Sequence, residues 1–302
     1  MLFVSLVCPH FPLPAPPEHF YRYSDQDLPL PTLYEERLAP QHPFIEDYRN
    51  AFAYDEHFED LDAVKRAKAG YLGLCSFLDE NIGKILDALD ASGLAETTRV
   101  VYTSDHRDNV GNRGLWGKST MYEDSVGVPL VVAGPEIPAG VTVETPVNLL
   151  DLYPFIIDCA GARDAETITT DHPGGDLARI IAEEDPGRAV FSEYHGMGSK
   201  TAAYMIRKGR HKLVYYVDYP PQLFDLEDDP DELKDLADDA NAQPILAELT
   251  QELRKVCDPE ALDRAAKAKQ ADLLERTGGR EAAIARGDLG FSVPPGVTPQ
   301  FD

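Results

Sequence analysis

Apolar positions recur along this chain in two rhythms, one of short runs and one of helical steps. Leu2 to Val7 is a short apolar run and reads as a strand that ends at Pro9-His10-Phe11-Pro12. A proline-rich stretch continues to Pro43, where prolines and tyrosines exclude long helices and leave a loop able to overhang a site. Tyr71, Leu74, Leu78, Ile82, Ile85 and Leu89 then fall at steps of three and four. They predict a helix from about Asp62 to Ser92, with Gly93 as its C-terminal cap. Val100-Val101-Tyr102 reads as a buried strand. Strand, helix and strand in that order predict a right-handed crossover and a mostly parallel sheet.

After Pro154 the texture changes. Val190–Tyr194, Ala203–Arg207 and His211–Tyr216 are short β-rich runs between glycine and charged turns, which predicts a small antiparallel sheet. A helix from Pro244 to Val256 follows. The tail carries a charged helix, Ala261 to Arg276, then Gly278-Gly279 and Pro294-Pro295-Gly296, and reads as an arm rather than a core. The expected division is an α/β core over 1–165, a small α+β subdomain over 166–257 and a helical arm over 258–302. The chain has no internal repeat and no low-complexity tract.

Composition narrows the partners. The 302 residues are 43% hydrophobic and 27% charged, as in a globular protein. No segment approaches the roughly 20 apolar residues of a membrane span. The run to Val7 is too short for a signal-peptide core and has no basic leader. Four cysteines without compact spacing form neither a zinc site nor a disulfide framework, so a cytoplasmic setting is expected. The net charge of −25, from 53 acidic and 28 basic residues, argues against nucleic acid or an anionic membrane as partner. Acidic runs such as Glu227–Glu232 are expected to be solvated surface.

Chemistry concentrates just beyond the strand at Val100. Asp105 and His106 emerge at its carboxyl end, where open α/β sheets place their ligand crevices. An adjacent carboxylate and imidazole suit a divalent cation: Ca²⁺ first, because it takes six to eight oxygen ligands, and Mn²⁺ second, because it accepts nitrogen more readily. Lys118 sits in a loop bounded by Gly114 and Gly117, from which its ammonium reaches inward as a point charge on an anionic oxygen. Arg107 and Arg113 add positive charge in the same stretch. His10, pinned between prolines, is a candidate to hold a substrate oxygen or to act as a general acid. A turn aspartate, surface histidines and a solvated lysine are the plain alternatives.

Thr103-Ser-Asp-His-Arg-Asp108, Gly114-Leu-Trp-Gly-Lys118 and Val128-Pro-Leu130 together are similar to the sulfatase pattern T-S-D-H-G-D, G-L-W-x-K and a V-P-L strand. Phe3–Pro12, the helix from about Asp62, Asn148–Pro154 and Gln222–Pro230 extend the likeness over nearly the whole chain. The chain thus resembles the type I sulfatases of the alkaline-phosphatase superfamily, nearest the choline-sulfatase and phosphonate-monoesterase branch. The resemblance implies an alkaline-phosphatase-like α/β sandwich, its N-terminal part missing here, plus a small C-terminal antiparallel sheet with a helix.

It also implies hydrolysis of a small-molecule sulfate ester, with metal at Asp105 and His106 and the ester oxygen on Lys118 and Arg107. His195, in Glu193-Tyr194-His195, would border the substrate pocket. The family's nucleophile is a formylglycine made from the cysteine of C-x-P-x-R. Cys8, Cys75 and Cys257 have no arginine four positions on, whereas Cys159-Ala-Gly-Ala-Arg163 has the arginine but not the proline, and it ends a helical stretch. Arg107 stands where the pattern has glycine, so a strained metal loop is expected if its φ is positive. Three functional readings follow: part of an active sulfatase, a phosphonate or phosphodiester hydrolase of the same superfamily, and a non-catalytic remnant or assembly module. Tyr215-Tyr216 reads as packing, with a quaternary-ammonium cage as the alternative. Self-association through the C-terminal arm is a further expectation.

Overall fold

The structure is a computed structural model and describes residues 1–39, 41–162 and 172–286. Arg163, the expected boundary at 165 and the Pro294–Gly296 end lie outside the described residues. The proline-rich stretch holds two short helices, α1 (Pro17–Ser24) and α2 (Pro43–Ala51), each opened by proline in its first turn, where the missing N–H costs nothing. The long periodic run is α3 (Leu61–Ala91), capped by the Asp60 carboxylate on the Ala63 amide at 2.7 Å and closed by Gly93 at φ +73°. Its glycines let the preceding chain lie close. A Cβ at Gly70 would stand 2.5 Å from the Leu13 carbonyl oxygen, and one at Gly73 2.9 Å from Ala15.

The sheet next to α3 differs from expectation. β1 (Val100–Thr103) pairs with β2 (Leu130–Ala133) antiparallel, with Val100 opposite Ala133 and Thr103 opposite Leu130. Among the described residues both sheets are antiparallel, and Leu2–Val7 is not a strand. A run becomes a strand only when a ladder takes its amides and carbonyls, and none of the described strands lies alongside this one. The excursion between β1 and β2 contains a 3-10 turn at Asn112–Gly114 and one α-helical turn, α4 (Glu123–Val126), and starts and ends at the same end of the pair. Residues 104–129 therefore form one loop cluster above Thr103.

A 3-10 turn at Leu149–Asp151, capped by Asn148, feeds α5 (Leu152–Cys159), and α6 (Leu177–Ala182) follows. The small sheet has four strands rather than the three expected: β3 (Ala189–Tyr194), β4 (Ala203–Lys208), β5 (His211–Tyr216) and β6 (Gln222–Asp225), in that spatial order. β6 is short, and only four residues carry its pattern. α7 (Gln243–Val256), α8 (Pro259–Arg276) and α9 (Gly279–Arg286) complete the described chain. None of the described helices is long and apolar enough to cross a membrane.

Residues of β4 alternate between two cores. Ala203 and Met205 join Phe44, Tyr48, Leu115 and Met121, while Tyr204 and Ile206 join Leu249 and Leu253 of α7. Both faces are covered, which is why β4 reads as a continuous apolar run. The first core ties the small sheet to α2 and to the loop around Leu115.

Leu2, Phe3 and Val7 are by contrast almost wholly exposed, and Leu273 of α8 is 58% exposed. An apolar run of this length in water drives association. Light scattering is expected to show concentration-dependent self-association, reduced by Phe3→Lys if the opening run is responsible and by Leu273→Lys if the arm is. A monodisperse monomer at every concentration overturns both.

Candidate functional site

Four of the six residues singled out by sequence converge. Ser104 turns the chain out of β1 by donating its hydroxyl to the His106 carbonyl at 2.7 Å, and the Asp105 carboxylate takes the His106 amide at 3.0 Å. The His106 Nδ1 lies 2.8 Å from the Arg107 carbonyl. A carbonyl only accepts, so Nδ1 carries a proton, and Nε2 faces Asp105 Oδ2, 3.4 Å away. His10 is fixed in the same manner. Its Nδ1 donates to the Phe11 carbonyl at 2.7 Å, so Nε2 accepts from the Lys118 ammonium at 3.2 Å. The rings of His10 and His106 are 6.4 Å apart. Phe11 stacks on His10 at 4.4 Å, and the Tyr54 ring lies tilted to Phe11 at 6.1 Å.

The Lys118 loop is bent into shape by an unusual backbone. Val110, Arg113 and Ser119 have positive φ, as do Gly111, Gly114 and Gly117. Each non-glycine residue there costs about 1–2 kcal/mol, so the surroundings must over-determine the loop. They do so at several points. The Gly117 carbonyl accepts from both the amide and the side chain of Asn109, at 2.8 and 2.7 Å, and the Gly117 amide donates to Asp108 at 3.1 Å. Tyr48 of α2 holds the Trp116 carbonyl at 2.8 Å. Burial raises the Asp108 carboxyl above its usual range, against hydrogen bonds from the Val110 and Gly117 amides.

The other two candidates point elsewhere. Arg107 is not among the residues with positive φ, so the expected strain at the glycine-to-arginine departure is corrected: strain sits at Val110, Arg113 and Ser119 instead. Its guanidinium reaches the carbonyls of Glu123 and Gly127 at 3.4 and 3.3 Å, bracing the far end of the loop cluster. His195 contacts Glu193 at 3.1 Å, the Tyr204 ring and, through its carbonyl, Gln270 of α8. Its neighbour Tyr194 reaches Ser119, beside Lys118. Tyr216 is buried with its hydroxyl on Gln222, and Tyr215 bonds Glu260, so both are packing residues and neither forms a cage. Cys159 is exposed at the end of α5, 3.4 Å from Arg99.

Asp105 and His106 offer two donors to a cation. Among the described residues no group of three histidine, cysteine or acidic side chains is arranged to hold a metal. Asp105 Oδ2 and His106 Nε2 face one another and could share a cation, but two ligands do not complete the six to eight that calcium takes.

Arg113, expected to add positive charge beside Lys118, is buried and spends its guanidinium on Asp124 and the Asp231 and Glu232 carbonyls. Sequence reasoning missed the other supports of the site: Asp108, Asn109, Glu123, Lys212 and Glu232. Asp108 and Asn109 follow directly on the motif, and an Asp-Asn pair before a glycine loop is itself a turn signal.

The chain is similar to known proteins over most of its length. A family model described as sulfatase matches residues 1–162, and one described as the C-terminal part of N-sulphoglucosamine sulphohydrolase matches residues 111–258. A choline-sulfatase of Rhizobium meliloti (strain 1021) is 33% identical over 273 residues, covering 89% of this chain and 53% of the relative. Arylsulfatase K of Danio rerio is 34% identical over 212 residues, covering 67% and 39%. The solved phosphonate monoester hydrolase SpPMH from Silicibacter pomeroyi superposes with a TM-score of 0.69 at 28% identity, over 82% of this chain and 53% of its own. The chain spans about half the length of the curated relatives it matches.

Proposed function

Because the chain belongs to the sulfatase family, we propose that its loop cluster is the anion-binding half of a site that hydrolyses sulfate esters with the help of a divalent cation. The observation that carries this reading is the convergence of Lys118 Nζ on His10 Nε2 beside the facing Asp105 and His106. Lys118 would place its charge on a non-bridging oxygen of the ester. His10, released from Lys118 when the anion arrives, would hold a proton at Nε2 towards the leaving-group oxygen. Asp105 and His106 would supply two ligands to calcium or manganese, which would polarise the ester. Arg107 and His195 would act at the rim, one bracing the loop and the other beyond Tyr194.

A second reading, hydrolysis of a phosphonate monoester or phosphodiester, is favoured by the likeness to SpPMH. Both readings place a tetrahedral anion on Lys118.

Calorimetric titration with CaCl₂ and MnCl₂ tests the cation. Two ligands, one neutral, should bind only weakly, with a dissociation constant on the order of a millimolar, as in poorly charged flexible sites. Asp105→Ala should remove the binding, and the cation should strengthen that of phenyl sulfate. Micromolar affinity, or indifference to Asp105→Ala, overturns the metal assignment. Failure to bind phenyl sulfate and phenylphosphonate under any condition overturns the hydrolase reading itself.

A further inference from the structure

The loop that carries Lys118 is held from its other side by a buried charge network that the proposed reaction does not use. Arg113, five residues before Lys118, is 5% exposed and in left-handed backbone. Its guanidinium spans four partners: Asp124 at 3.1 Å, the Asp231 carbonyl, the Glu232 carbonyl at 3.0 Å and the face of Tyr122 at 4.1 Å. Glu232 is itself a left-handed residue, 4% exposed, and its carboxylate takes the Glu123 amide at 2.7 Å and Lys212 at 2.7 Å. Lys212 has no exposed surface at all and also meets Glu123 at 2.9 Å.

Such a network is a poor way to gain stability. Two desolvated charges roughly break even with apolar residues of the same volume. Its geometry is better explained by what it fixes. Arg113 and Glu232, 119 positions apart, are two strained residues that lock on one another, and Lys212 anchors the second from the start of β5. Hydrogen bonds from α2 and Asn109 hold the loop at Trp116 and Gly117, immediately before Lys118. Arg113 holds its start.

We propose that Arg113 is a positioning residue for Lys118, seated in a socket that the acidic turn Asp229–Glu232 and Lys212 of the small sheet provide. The small sheet thereby sets the aim of the lysine at its anion. This rests on the reading of Lys118 as the anion-binding group, although the Lys118–His10 contact can be followed without any ligand.

The test uses two variants that leave no uncompensated buried charge. Arg113→Lys keeps the charge on Asp124 satisfied but loses the fork that spans both carbonyls. Lys212→Met combined with Glu232→Gln removes both members of the ion pair, keeps an acceptor for the Glu123 amide and leaves Glu123 beside Arg207. The readouts are the melting temperature, the imidazole resonances of His10 by NMR, and the dissociation constant of inorganic sulfate. The expected result is a cooperative melt in each variant, a shifted His10 resonance as Lys118 leaves Nε2, and sulfate affinity lower by roughly tenfold, part of what a hydrogen bond to a charged group contributes. Folded variants with the parent's His10 resonance and sulfate affinity overturn the proposal. If Lys118→Ala leaves sulfate binding unchanged, the anion-site reading falls, and the His10 resonance still decides whether Arg113 positions the lysine.

Discussion

Replacing Lys118 by alanine is expected to remove most of the chain's affinity for inorganic sulfate and for phenyl sulfate. The ammonium is the positive group nearest His10 in the loop cluster, at 3.2 Å, and a strained backbone pinned by Asn109, Asp108 and Tyr48 presents it. A hydrogen bond to a charged partner contributes about 2 kcal/mol net, and that loss weakens binding roughly thirtyfold. Lys118→Arg should recover part of it, since the charge is kept while its reach changes. Titration calorimetry at fixed ionic strength reads both variants, with the melting temperature as a control, because an intermediate-burial lysine with a single histidine partner should scarcely affect the fold. Unchanged sulfate affinity in Lys118→Ala at an unchanged melting temperature sinks the anion site. The parent chain should bind phenyl sulfate without turning it over, because none of its four cysteines lies in a C-x-P-x-R motif and positioning alone supplies no attacking group.

The site was more legible than the sheet around it, for a physical reason. Asp105, His106 and Lys118 lie within fourteen residues of one another, so strand, turn and glycine loop can be read locally, and the prolines flanking His10 announce a fixed turn. Strand direction is another matter. Leu2–Val7 and Val100–Thr103 carry the same apolar signature, but only pairing decides whether a run enters a ladder, and β1 finds β2 in antiparallel register instead. A short apolar run says nothing about its partner.

Lys212 illustrates the same limit from the other side. In His211–Tyr216 it looks like the outward polar residue of a half-buried strand, yet its side chain has no exposed surface. The sheet is covered on both faces, by α7 and by the core that contains Phe44 and Leu115, and the lysine survives there only because Glu123 and Glu232 reach it from 89 and 20 positions away. Arg107 carried the opposite lesson. The departure from glycine suggested strain, but the loop places its left-handed residues further on, and the arginine spans two carbonyls on ordinary backbone.

Asp151→Ala is expected to be the most destabilising single substitution outside the loop cluster. The carboxylate has no exposed surface and is saturated: Arg188 grips it with both arms of its guanidinium at 2.7 and 2.9 Å, the Gly175 amide donates at 2.6 Å and the Asn148 amide at 2.8 Å. One side chain thus closes the cap that starts the turn into α5, pins the chain before α6, and fixes Arg188 directly ahead of β3, which leads to Tyr194 and Ser119. Alanine leaves two amides without acceptors and an arginine, 21% exposed, without its counter-charge. Breaking a buried pair from one side costs about 3–5 kcal/mol, against the roughly 5–15 kcal/mol by which domains are stable. Asp151→Asn keeps one acceptor and should cost less, because a neutral amide still takes a backbone N–H while giving up the bidentate pair. Urea unfolding followed by circular dichroism ranks parent, Asp151→Asn and Asp151→Ala in that order of midpoint. If Asp151→Ala lies within about 1 kcal/mol of the parent, as ordinary surface substitutions do, then the Arg188 contact contributes little and β3 is held by its ladder to β4 and its apolar contacts.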